Sequence, residues 1–79
     1  MIREKMQKIF REIFEDETII LRNEMTAEDI EDWDSLSHIQ LIEAIEHTFD
    51  ITFTLQEAVE LETVGEFIEL VNKKVGGKK

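Results

Sequence analysis

Ser35 is flanked by a carboxylate at Asp34 and an apolar side chain at Leu36, where a long acidic stretch gives way to an amphipathic segment. Asp is among the best helix N-cap residues, so a helix opening at Asp34 or Ser35 puts this hydroxyl in a first turn. There, unpaired backbone N–H groups and the helix dipole favour an attached anion. A phosphate ester on Ser35 suits that field, and the helix would fix its attachment point while anything beyond the phosphate swung freely. Asp34 could cap the helix and also help to ligate Mg²⁺ during phosphoryl transfer. As a hydrolytic nucleophile Ser35 is poorly equipped: the chain has no Gly-x-Ser-x-Gly elbow and little room for a substrate cleft. Modification, rather than catalysis, is the chemistry to expect of it.

Other reactive types are sparse. The absence of cysteine excludes a thiol nucleophile, a disulfide and a thiolate metal site. His38 and His47 stand nine residues apart, which does not bring two ligands to one helix face, and both read as surface residues. Glu28, Asp29, Glu31, Asp32 and Asp34 lack the ligand order of a calcium loop, so no metal site is expected beyond loose divalent binding. The formal net charge of −10 is uneven: zero over residues 1–16, −9 over 17–50 and −1 over 51–79. A negative field centred near Ser35 repels nucleic acid and attracts basic protein surfaces.

The elements that must position Ser35 read as helices. Seventy-nine residues without proline, rich in Glu, Ile and Leu, point to one all-α domain spanning 1–79. Ile2, Met6, Ile9, Phe10, Ile13 and Phe14 recur at spacings of three and four, a stripe that stops near Asp16. Residues 17–34 hold no helical period. Within them Thr26-Ala27-Glu28-Asp29 could open a single turn anchored by Ile30, and a connection this long is either functional or partly disordered.

The second helix runs from Asp34 or Ser35 to near Asp50, with Leu36, Ile39, Ile42, Ile45 and Phe49 as its stripe. Thr54-x-x-Glu57 and Thr63-x-x-Glu66 are capping boxes opening a short helix to about Leu61 and a last helix. Gly76-Gly77 should end the last helix, leaving residues 76–79 as a frayed tail. Leu41, Ile42, Ile45, Val59 and Leu61 are expected in the core. No apolar run approaches the roughly 20 residues of a membrane span. The N-terminus lacks a signal-peptide layout, so a cytoplasmic protein without stable membrane insertion is expected.

From Asp34-Ser35-Leu36 through Ser37-His38-Ile39-Gln40-Leu41-Ile42-Glu43-Ala44-Ile45-Glu46, with Phe49, Ile51 and Thr63-Val64, the chain resembles the acyl carrier protein family. The likeness covers nearly its whole length. It implies a small four-helix bundle of three long helices and a short third one, with a long first loop. It further implies that Ser35 receives 4′-phosphopantetheine from coenzyme A by a phosphopantetheinyl transferase, and that the arm's thiol carries acyl groups as thioesters. The chain would then be a monomeric carrier and not an enzyme, serving acyl-loading and acyl-processing enzymes with basic docking surfaces.

In that reading Leu36 and Ile39 offer apolar contact, while Asp34, Glu43 and Glu46 meet basic residues. Trp33, Gln40 and His47 complete the candidate partner contacts, although a lone tryptophan in a small domain is more often structural. The family usually has glycine where Asp32 stands, and the likeness is closest to free-standing carriers with a Trp-Asp-Ser-Leu variant. Ser37, Gln40 and His47 occupy positions commonly acidic in fatty acid carriers, and Glu43 one that is commonly methionine. Fatty acid, polyketide and specialised lipid or secondary-metabolite pathways therefore stay open, as do aminoacyl or peptidyl carriage and an unmodified acidic interaction module.

Overall fold

The computed structural model describes residues 2–76, which form four helices and no strand. They are α1 (Ile2–Ile13), α2 (Ser35–Phe49), α3 (Leu55–Glu60) and α4 (Val64–Gly76). Three are long and the third has six residues. The all-α four-helix bundle expected from the sequence is the fold observed. The last helix includes Gly76, and the rest of the expected tail, 77–79, lies outside the described residues. No helix among the described residues is long and apolar enough to cross a membrane.

The termini follow local chemistry. α1 stops at Ile13, earlier than its apolar stripe, because Glu15 adopts a left-handed φ of 52°. Asp16 N–H then reaches back to the Arg11 carbonyl at 3.0 Å, closing the last turn. α2 ends the same way, with Asp50 at φ 55° and Ile51 N–H on the Glu46 carbonyl at 3.1 Å. Asp tolerates this conformation better than most residues. Both Thr-x-x-Glu capping boxes form as read: Thr54 with Glu57, and Thr63 with Glu66.

The core gathers Met6 and Phe10 of α1, Leu41 and Ile45 of α2, and Val64, Phe67 and Val71 of α4, all fully buried. α3 buries none of its residues. Val59, expected in the core, is 71% exposed, because so short a helix lies over the bundle rather than within it.

The long first connection is neither helical nor loose. Ile19, Leu21, Met25, Ile30 and Trp33 drive apolar side chains into the core. Leu21 N–H donates to Gln7 Oε1 at 2.9 Å and Arg11 Nε to the Ile19 carbonyl at 2.8 Å, tying the loop to α1. The expected turn forms at Thr26, whose carbonyl accepts from Asp29 N–H at 2.9 Å. The start of α4 docks on the same loop: Val64 N–H donates to the Met25 carbonyl and Gly65 N–H to that of Asn23. Glycine suits that close approach, since a Cβ on residue 65 would stand 3.1 Å from the Asn23 carbonyl oxygen and the loop would have to give by a few tenths of an ångström. The loop thus delivers Trp33 and Asp34 to a fixed place.

Candidate functional site

Two serines two residues apart have opposite surroundings. Ser37 is 8% exposed, and its hydroxyl accepts from Asp34 N–H at 2.8 Å and donates to the Asp32 carbonyl at 2.9 Å. Asp34 reciprocates, its carboxylate accepting from Ser37 N–H at 3.0 Å. This is a third capping box, with serine in place of the usual Glu, and it fixes the extended backbone of Asp34 at φ −126°. The sequence held its signal in Asp34-x-x-Ser37, hidden because Ser37 stood out only as a missing acid.

Ser35, between the two, is exposed, and its hydroxyl has no hydrogen-bond partner among the described residues. It is the first residue of α2, where the free N–H groups of the first turn accumulate. The Ser37 backbone N–H holds the Asp34 carboxyl below the usual carboxylate range, so a full negative charge stands beside Ser35 near neutral pH. An exposed, unengaged hydroxyl on a rigid cap can accept a phosphoryl-linked group without breaking any existing bond. Within the first turn of α2 itself there is no acidic side chain, so the carboxylate next to that anion is the cap, Asp34.

Ser35 lines a groove of about 830 Å³ between α2 and α3. Ile39 and Ile42 of α2 form one side, Phe53 precedes α3, and Leu55, Ala58 and Val59 form the other side. The groove exists because the α2 stripe does not stay on one face. At about 100° per residue, steps of three drift backwards, so that Leu36 lies roughly opposite Ile45. Ile45 is therefore core, while Leu36 and Ile39 are 67% and 57% exposed.

The remaining candidates divide. Gln40, Glu43 and His47 are exposed on α2, in keeping with surface contacts. Glu46 is half-buried, and one of its oxygens accepts from Phe53 N–H at 2.7 Å, which pins the chain ahead of α3. Trp33 is a correction. At 6% exposure it is core, packed edge-on against Phe10 with ring centroids 5.4 Å apart. Its aromatic area is worth more buried beneath the site loop than presented to solvent.

His38 is likewise not a surface residue: half-buried, it lies between Trp33 Nε1 at 3.1 Å and the Ala58 carbonyl at 2.8 Å. A tryptophan ahead of a helix and a histidine in its first turns are the only trace of that bridge in the sequence. No group of three or more His, Asp or Glu among the described residues is arranged to hold a metal.

Comparison with known proteins accords with this geometry. The sequence model of the phosphopantetheine attachment site family matches residues 4–71. The fold is similar to the solution structure of the holo acyl carrier protein from Geobacter metallireducens, with a TM-score of 0.90 and 42% identity. That match covers 96% of this chain and 87% of the other. A Mycobacterium tuberculosis protein described as an acyl carrier matches with a TM-score of 0.78 and 25% identity, over 96% of both chains. No curated protein sequence matches significantly.

Proposed function

Since the chain belongs to the phosphopantetheine attachment site family, we propose that Ser35 is the attachment residue and that the protein delivers acyl thioesters to partner enzymes. It has the acyl carrier fold, is a carrier and not a catalyst, and takes 4′-phosphopantetheine as its prosthetic group. That arm supplies a thiol on which cargo is held as a thioester. The observation that carries the assignment to Ser35 is its free, exposed hydroxyl at the first position of α2, beside a partner serine that is wholly engaged.

Ser35 Oγ forms the new bond to phosphorus as the pyrophosphate P–O bond of coenzyme A breaks, adenosine 3′,5′-bisphosphate leaves, and the hydroxyl proton goes to the transferase. Asp34 fixes the turn and offers a carboxylate to the Mg²⁺ that accompanies transfer. Exposed Leu36 and Ile39, with Gln40, Glu43 and His47, form the face that meets the transferase and the acyl-processing enzymes, whose docking surfaces are basic. The apolar groove beside Ser35 supports acyl over aminoacyl cargo. The chain acts as one domain, a monomer of the cytoplasm, in fatty acid, polyketide or specialised lipid synthesis.

The test is intact mass after incubation with coenzyme A, Mg²⁺ and a broad-specificity phosphopantetheinyl transferase. One phosphopantetheine unit is expected on the native chain and none on Ser35→Ala. No gain on the native chain, or an equal gain on the variant, overturns the assignment.

A further inference from the structure

We propose that Glu46 sorts cargo by charge: the groove beside Ser35 takes up a neutral acyl chain and turns away one that ends in a carboxylate. This names the class of acyl group within the carrier reading above, on which it rests.

The groove follows one stripe of α2. At about 100° per residue, Ser35, Ile39, Ile42 and Glu46 lie within roughly 60° of one another around the helix. All four line the groove, with Leu55, Ala58 and Val59 of α3 facing them. At 1.5 Å per residue, Glu46 stands about 16 Å along the axis from Ser35. A chain carried on Ser35 therefore enters at one end, passes Ile39 and Ile42, and meets Glu46 at the other.

Glu46 is not a free surface acid. It is half-buried, and one carboxylate oxygen accepts from Phe53 N–H at 2.7 Å. That bond fixes the carboxylate ahead of α3, while its other oxygen has no partner among the described residues. The other carboxylates of the lining are placed differently. Asp34 is turned to Ser37 N–H at the cap, and Glu43 is exposed at the rim. No Lys or Arg lines the groove. Both ring nitrogens of His38 are engaged, with Trp33 Nε1 at 3.1 Å and the Ala58 carbonyl at 2.8 Å. A carboxylate entering here finds no lysine or arginine to pair with.

An alkyl chain gains by covering Ile39, Ile42 and Val59. A chain with a terminal carboxylate makes the same contacts but must strip water from its charge. It does so beside a like charge that cannot swing away. Burial disfavours any anion, and the share due to Glu46 is the part that a neutral isostere removes. Glu46→Gln is that isostere, because its amide oxygen can still accept from Phe53 N–H.

The full chain would be loaded on Ser35 with an octanoyl group, or with the same chain ending in a carboxylate. The donors are the corresponding coenzyme A thioesters, with a broad-specificity phosphopantetheinyl transferase, and intact mass confirms loading. One readout is thioester cleavage by hydroxylamine at neutral pH, relative to the same thioester on coenzyme A. The other is the amide resonances of Ile42 and Val59, relative to the protein bearing the arm alone.

The octanoyl group should be cleaved several-fold more slowly than on coenzyme A, and should shift both resonances. The carboxylated chain should be cleaved at its coenzyme A rate and leave them in place. In Glu46→Gln the carboxylated chain should gain protection, with the Phe53 amide resonance reporting that the anchor of α3 is kept. Glu60→Gln removes a carboxylate of α3 outside the groove and should sort as the native chain does.

The proposal is overturned if the native protein protects both chains alike, if it protects neither, or if Glu46→Gln leaves the carboxylated chain unprotected. A chain that takes up no arm overturns the carrier reading and this proposal together. A loaded chain that fails to sort overturns the proposal alone.

Discussion

The two sides of α2 are built on different physics. Towards the core it presents Leu41 and Ile45, fully buried in one cluster with Met6 and Phe10 of α1 and Val64 and Phe67 of α4. Towards α3 it presents Ser35 and Ile39, an open groove, and a helix held by individual hydrogen bonds. The first side gains from apolar area, which is large and insensitive to direction. The second depends on directional ties of roughly 1 kcal/mol each, which can be broken one at a time. The first side gives Ser35 a rigid base, and the second leaves the groove beside it open.

The largest effect should therefore come from the packed side. Phe67 is fully buried and meets Phe10, Trp33 and His38 at centroid distances of 6.3, 6.0 and 5.6 Å. Phe67→Ala should cost about 3–5 kcal/mol in urea unfolding, enough to leave so small a domain barely folded. Val59→Ala on α3, at an exposed position, should stay within about 0.5 kcal/mol. Equal losses from the two would abolish the distinction between the sides.

A smaller effect sharpens it. Thr54 caps α3 by accepting from Glu57 N–H at 3.1 Å. Thr54→Ala should remove about 1 kcal/mol, a roughly fivefold rise in local opening. Hydrogen exchange at Ala58 and Val59 should accelerate by that factor, while the urea midpoint moves little. A matching fall in global stability would place α3 inside the cooperative core.

The same division explains what the sequence discloses. Apolar spacing exposes the packed side: the α1 stripe, the capping boxes and the helix order all follow from periods and cap residues. Ser35 is legible because Asp-Ser-Leu sits in register with those helices. The yielding side is written in single contacts between distant residues, which have no period. Ile39 and Ile45 look alike in the text, and only the drift of three-residue steps separates groove from core. Val59 reads as core because its type is apolar, yet α3 is too short to turn it inwards. Trp33 and His38 are surface candidates until the first loop carries them under the site and joins them to each other.

The smallest effect belongs to the charge at the cap itself, which lies on neither side alone. Hydrogen bonds from backbone N–H groups hold the carboxyls of Asp34, Glu57 and Glu66 below their usual range, at the starts of α2, α3 and α4. A carboxyl lowered by folding stabilises fully above its unfolded value of about 4, and that contribution fades as pH falls through the lower folded value. Acid should thus loosen all three helix starts together, below about pH 4. Asp34→Asn keeps a side-chain oxygen for Ser37 N–H and removes the titration. Its stability near neutrality should barely change, whereas its urea midpoint should fall less steeply than that of the native chain between about pH 5 and 2. An unaltered slope would mean that the α2 cap contributes nothing to acid sensitivity, and that the loss arises at other carboxyls held low, those of Glu57, Glu66 and Asp16 among them.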